Sequence, residues 1–275
     1  MPVRMPARTN RVGIGCPSIL RRARHFNQLA FAHYNLCVLR RDGHFLPRPK
    51  AVLFDLFHTL VCVPPGIAGD IPISEILGVP AAEWQRRYYE DDVLGRCLGH
   101  VLDGVEAMRR VTHSIDGTVS EERIVAAVES RRRCFESGLL GIEEAMLTAL
   151  DALRAAGIRT ALVSDAGADD VECWQRSPLR DRLDAVVFSY QLGVRKPDPR
   201  IYQRALEEIG VAPGDAIFVG DGGSDEHRGA QALGIATVLV TRLYALWWPE
   251  QIAARRGHAD WEFDDVPAFV AALGL

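Results

Sequence analysis

Apolar residues fall into two rhythms along this chain. From residue 142 onward, short apolar runs at 158–164, 183–189, 216–220 and 236–240 alternate with longer segments of helical period. Such runs suit strands buried on both faces of a parallel sheet. The intervening segments 142–156, 199–209 and 224–233 repeat apolar positions every three or four residues and predict helices. Gly157 and Gly234 stop the first and the last, and Pro199 opens the second. One further apolar run, Ala51-Val-Leu-Phe54, stands far upstream and ends on a carboxylate, Asp55. Residues 72–139 carry helical period only, with helices expected over 81–89, 93–110 and onward from Ser120. The acids Glu121 and Glu122 suit the first turn of that last helix. Strand–helix alternation predicts an α/β fold with a doubly wound parallel sheet and right-handed crossovers. The helical block between the first strand and the rest reads as an inserted cap.

Composition fits a globular chain, at 48% hydrophobic and 25% charged residues. No apolar run reaches the ~18 residues of a membrane-span candidate. The cysteines Cys16, Cys37, Cys62, Cys97, Cys134 and Cys173 are widely spaced without a CxxC pair, which favours reduced thiols in a cytoplasmic protein over a disulfide framework or zinc site. Charge divides the chain. Residues 1–50 hold nine Arg, one Lys and one acid, Asp42, so this end is +9. Subtracting ten basic residues and one acid from the totals of 32 and 36 leaves 22 and 35, or −13, in the body. The favoured reading of 1–48 is a basic arm outside the fold; a nucleic-acid or membrane-surface arm and an Arg-rich transit peptide are the alternatives. Lysine occurs only at 50 and 196, against thirty arginines, which singles out Lys196.

Four of the five expected strands each lead to a different chemical group. Asp55 follows the first, with Thr59 four residues on, placed to bond an anion or tie the loop. Ser164 and Asp165 end the second. Lys196 lies in Gly-Val-Arg-Lys-Pro-Asp-Pro199, a loop stiffened by two prolines. Asp221 and Asp225 bracket a Gly-Gly-Ser turn after the fourth strand. Singly, Asp55 and Asp221 serve equally well as helix caps, Ser164 as a turn residue and Lys196 as a surface cation. Jointly, they compose a phosphate site in which carboxylates hold magnesium, a hard cation that prefers oxygen ligands. In open α/β sheets, ligands gather at the carboxyl ends of strands, where all of these residues would stand.

Phe-Asp-Leu-Phe-His-Thr-Leu60, Leu-Val-Ser-Asp-Ala-Gly167, Arg-Lys-Pro-Asp-Pro199 and Val-Gly-Asp-Gly-Gly-Ser-Asp-Glu226 resemble, in order and spacing, the four motifs of the haloacid dehalogenase-like hydrolases. The resemblance covers about 51–275. It implies a Rossmann-like core over 49–63 and 140–275, and a cap over 64–139. It implies Asp55 as the nucleophile and Lys196 as the cation beside it. Ser164 would bind the phosphoryl group, with Thr59 and Asp165 nearby. Magnesium would lie between Asp55, the Phe57 carbonyl, Asp221 and Asp225. The expected activity is phosphatase action on a small phosphorylated metabolite, with no nucleic-acid or membrane partner.

One position departs from that pattern. The family's phosphatases usually carry an Asp two residues after the nucleophile, as acid and base; here it is Phe57. Loss of such a group typically costs ~10²–10⁴ in rate. His58, where glycine is usual, is a candidate substitute; pointing away or capping the loop is its favoured alternative. An aromatic residue also occupies this position in haloacid dehalogenases, which work without metal and would not need Asp221. A third reading is a weakly catalytic protein that binds a phosphorylated ligand or partner. The charges of 86–96 are expected mostly to face water, with some left to line a cleft, and Arg131, Arg132 and Arg133 to meet an anionic substrate or, as the favoured reading, water.

Overall fold

The computed structural model describes residues 46–63, 72–91 and 95–275. The readings made for the arm before residue 46 lie outside the described residues. Leu46 packs against the main core, and Lys50 N donates to Asp215 O at 2.8 Å.

The chain enters through β1 (Ala51–Phe54) and then runs through α1 (Ile73–Leu77), α2 (Ala81–Gln85), α3 (Gly104–Ile115), α4 (Glu121–Leu140) and α5 (Glu144–Ala155). Alternation follows: β2 (Arg159–Ser164), β3 (Ala185–Phe188), α6 (Ser189–Leu192), α7 (Pro199–Ile209), β4 (Ala216–Gly220), α8 (Glu226–Gln231) and β5 (Ala236–Val240). The chain closes with α9 (Arg242–Ala245), α10 (Ile252–Arg255), β6 (Trp261–Phe263) and α11 (Val266–Ala272). The six strands form one parallel sheet in the order β3-β2-β1-β4-β5-β6. This is the Rossmann-like α/β sheet expected from the alternation of periods.

Residues of opposite parity on each strand face opposite layers. Val52, Phe54, Leu162, Ile217 and Val219 join a core with Leu150 and Leu153 of α5 and Phe269 of α11. Ala51, Leu53, Ala161 and Phe218 face Ile201, Tyr202 and Ala205 of α7 on the other side. The helical block has its own apolar cluster, which includes Leu77, Trp84, Tyr88, Met108 and Ile124.

Strand order reverses between β1 and β4. The chain moves outward on one side through β2 and β3, then on the other through β5 and β6. A crevice outside the carboxyl ends of β1 and β4 is where ligands bind in such sheets. Phe54 pairs in register with Leu162 and Val219. Asp55 is one residue past Phe54, and Ser164 and Asp221 are each two residues past its partners, so all three leave the same sheet edge.

Three local expectations change. The described part of 93–110 is not one helix: Gly99 has φ 78°, and Asp103 caps a new start by accepting from Val105 N and Glu106 N. A helix from 224 is delayed to Glu226 because Ser224 and Asp225 hold left-handed φ values of 54° and 51°. β6 was not anticipated; three residues offer too short a run to stand out.

Candidate active site

Asp55 leaves β1 with its N–H on Val219 O at 2.9 Å. The next residues close a tight turn: Leu60 N and Val61 N each donate to Leu56 O at 2.9 Å, and His58 N to Val61 O at 2.6 Å. The Phe57 carbonyl takes no part in these bonds. The turn folds Thr59 back, and its hydroxyl donates to Asp55 Oδ2 at 3.1 Å. Lys196 Nζ lies 2.5 Å from the other oxygen, Asp55 Oδ1, and 2.7 Å from Glu226 Oε2. Its own backbone N–H donates to Asp165 Oδ1 at 2.9 Å. Thr59 is thus tied to Asp55, and Asp165 to the lysine loop. These five side chains are buried or nearly so, with Glu226 fully enclosed.

Asp221 follows β4. Its Oδ1 accepts from Gly223 N at 2.9 Å, and its Oδ2 lies 2.7 Å from Arg255 Nη1. The turn needs Gly222, whose φ of 86° an L side chain rarely adopts. Gly222 N donates to Glu226 Oε1 at 2.7 Å, which swings the first side chain of α8 under the turn. Ligand oxygens of Asp55, Asp221 and Glu226 lie within 4.8 Å of one another. Glu226 was not anticipated. Asp225, named from the sequence, is instead 62% exposed and faces Arg228 at 3.8 Å. Its left-handed backbone turns it outward, while the helix start aims Glu226 inward.

Electrostatics follow from this crowding. Burial opposes a charge on Lys196, but Asp55 and Glu226 outweigh it and hold the ammonium well above its usual range. Burial pushes the Glu226 carboxyl up, against the pull of Lys196, with Asp55 and Asp221 adding to the rise. Three acids face two cations, Lys196 and Arg255, in a nearly dry group. Hard oxygen donors crowded in this way fit a divalent cation. Ser164 is fully buried and its Oγ has no protein partner, as a hydroxyl held for a ligand oxygen would be.

Other sequence-derived residues stand nearby. The Phe57 ring meets Phe135 of α4 edge-on, with centroids 5.0 Å apart. His58, with φ 63°, places its ring 5.2 Å from Trp248 and 5.8 Å from Tyr244. Burial lowers its pKa, opposed by Asp221 and Asp55, and Nδ1 is enclosed without a hydrogen-bond partner. The expectation that Arg96 and Arg131 face water is corrected. Both are buried and ion-paired with Asp169 and Asp170, beyond the loop that follows β2. Arg132 and Arg133 do face solvent.

Residues 49–234 match the family model described as haloacid dehalogenase-like hydrolase. The chain is 26% identical to an (S)-2-haloacid dehalogenase 1 from Pseudomonas sp. (strain CBS-3), over 70% of this chain and 85% of that one. It is 30% identical to a glyceraldehyde 3-phosphate phosphatase from Methanopyrus kandleri, over 46% of this chain and about half (54%) of that protein's length. A crystal structure of a HAD phosphatase from Thermococcus onnurineus superposes with a TM-score of 0.55 at 24% identity, covering 82% of this chain and 98% of that one. Because the family model spans the strand ends that carry Asp55, Ser164, Lys196 and Asp221, and the sheet is the one that the family shares, this chain belongs to the haloacid dehalogenase-like hydrolases.

Proposed function

We propose that this hydrolase is a magnesium-dependent phosphatase of small phosphorylated metabolites, working in the cytoplasm through an aspartyl-phosphate. The observation that carries the reading is the convergence of Asp55, Asp221 and Glu226, three buried carboxylates within 4.8 Å, beside Lys196. A metal-free dehalogenase would not need Asp221, whereas Glu226 also serves to hold Lys196. Asp55 attacks phosphorus, forming an O–P bond as the substrate's P–O bond breaks. The leaving oxygen takes up a proton. Water then attacks the phosphoryl group, which restores the carboxylate and releases phosphate. Lys196 offsets charge on the attacking oxygen, and Ser164 donates to a phosphoryl oxygen. Asp55, Asp221, Glu226 and the Phe57 carbonyl would hold Mg²⁺, with Glu226 in the place first given to Asp225. Bound there, the ion supplies positive charge against the repulsion of carboxylate and phosphate. Residues 64–139 serve as the cap over a core formed by 49–63 and 140–275. The separate apolar cluster of α1–α4 supports that division.

Phosphate release from an aryl phosphate with Mg²⁺ is the primary test, since an aryl leaving group needs little acid help. Asp55→Asn should abolish it; full activity in that variant would reject the assignment. His58, half-buried and within the fields of Asp221 and Asp55, is the candidate proton carrier. Its replacement by Ala should slow alkyl phosphates far more than aryl ones, and equal slowing would remove the role. The dehalogenase reading keeps one favouring observation: Phe57 is packed against Phe135 and offers no acid or base. Chloride release from a 2-haloacid in the presence of a chelator would favour it.

A further inference from the structure

We propose that Arg255 is the resident counter-ion of Asp221, that it competes with a divalent cation for that carboxylate, and that it thereby sets how tightly the site takes metal. The inference rests on the metal reading above. Arg255 is the last residue of α10, distant in sequence from the four motifs. Its Nη1 lies 2.7 Å from Asp221 Oδ2 and donates to the Asp221 carbonyl at 2.9 Å. Its guanidinium carbon stands 3.5 Å from the centroid of the Tyr244 ring. One side chain therefore grips the carboxylate and the backbone of the same residue while resting on an aromatic face.

The Gly-Gly turn makes room for it. A Cβ at Gly222 would stand 3.2 Å from the Arg255 Cβ, and one at Gly223 would stand 3.6 Å from Arg255 Nη1. Bare backbone at Gly222 lets the arginine lie close against the turn, whereas a Cβ at Gly223 would meet it only in ordinary van der Waals contact. Its charge is permanent, so it cannot withdraw by losing a proton. To free Asp221 Oδ2 it must move across the Tyr244 face on which it already rests. A cation bound to Asp55, Asp221 and Glu226 meets both a competitor for one ligand oxygen and a like charge close by. Arg255 is thus a positioning residue that acts through Asp221.

Mn²⁺ titration of the metal-free full-length protein, read by the electron paramagnetic resonance of free ion at fixed pH and salt, tests this. Arg255→Gln should bind Mn²⁺ at least about tenfold tighter than the parent. Arg255→Lys keeps a charge without the planar fork and should fall between the two. If Arg255 merely braced Asp221, its loss would weaken binding. Unchanged or weaker affinity in Arg255→Gln therefore overturns the proposal, provided its circular dichroism spectrum and melting match the parent. If that variant does not fold, Arg255→Lys decides: tighter binding supports the competition, and unchanged or weaker binding overturns it. If no protein binds Mn²⁺, the metal reading fails and the proposal with it. Equal affinities remove the proposal alone.

Discussion

Glu226 and Asp225 are neighbours with opposite surroundings, and the difference lies in two backbone angles. Ser224 and Asp225 hold φ values of 54° and 51°, a region that costs a non-glycine residue roughly 1–2 kcal/mol. His58, with φ 63°, is the third such residue, so every positive-φ non-glycine residue among those described sits in a loop of the candidate site. Strain of this kind persists where surrounding contacts over-determine it, and it gathers at functional loops. Here it delays α8 and delivers Glu226 to Lys196 and Gly222 N. Glu226→Gln should weaken Mn²⁺ binding by more than the roughly 10–100-fold that loss of an outer-shell partner brings. Asp225→Asn should leave it within about a factor of two, because an exposed charge is screened. Comparable losses in the two variants would return Asp225 to the site. Asp55 and Asp221 were legible because each follows an apolar run, and Lys196 because lysine is otherwise nearly absent from the chain. Glu226 was not, since sequence spacing does not reveal that the two residues before it are left-handed. Its position, five residues after Asp221 at the start of a helical period, was the available signal.

Among the elements, the strands were the easiest to read. Their residues are buried on both faces, so composition alone marks 216–220 and 236–240. Helices of the inserted block were harder, because capping decides where they begin: Asp103, not an apolar residue, starts α3. The longest of them, α4, also carries a contact that no periodicity shows. Gly138 lies against the chain just after β1, where an added Cβ would stand 2.7 Å from Cys62 O, 3.0 Å from Val61 Cγ1 and 3.2 Å from Val63 Cγ2. Gly138→Ala gains ~1 kcal/mol of helix propensity. Overpacking against a backbone carbonyl costs ~1–3 kcal/mol, and a carbonyl yields less than a flexible side chain. The second effect should win, lowering the melting temperature by a few degrees. It should also disturb the turn that holds Phe57 and Thr59, so the KM for the aryl phosphate should change as well. A melting temperature that rises would show that α4 can shift away at no cost.

Across the whole molecule, the helical block is fastened to the sheet by charge as well as by apolar packing. Arg96 and Arg131 each reach Asp169 and Asp170, and Tyr88 lies under both guanidinium groups, 4.9 Å and 5.2 Å from them. Arg131 also covers the Phe135 ring at 4.2 Å, and Phe135 packs on Phe57. A chain of contacts therefore links this ionic cluster to Phe57, two residues after Asp55. Neither arginine was legible as buried, because the acids that pair with them lie some forty to seventy residues away in sequence. Burial works to raise the Asp170 carboxyl, and the Arg131 and Arg96 charges overcome it, holding it at about 2. A carboxyl depressed from 3.8 in this way contributes stability that is present above the unfolded value and is lost as pH falls toward 2. That contribution is on the order of 2 kcal/mol. Asp170→Asn leaves two buried guanidinium groups short of a negative charge and should cost ~3–5 kcal/mol near neutrality. Below pH ~4 the parent begins to lose what the variant never had, so the gap between them should narrow. Urea midpoints of both proteins at pH 6, 4 and 3 measure this. Parallel profiles would mean that Asp170 titrates alike in the folded and unfolded chains, and the cluster would then act by shape and packing without the electrostatic hold.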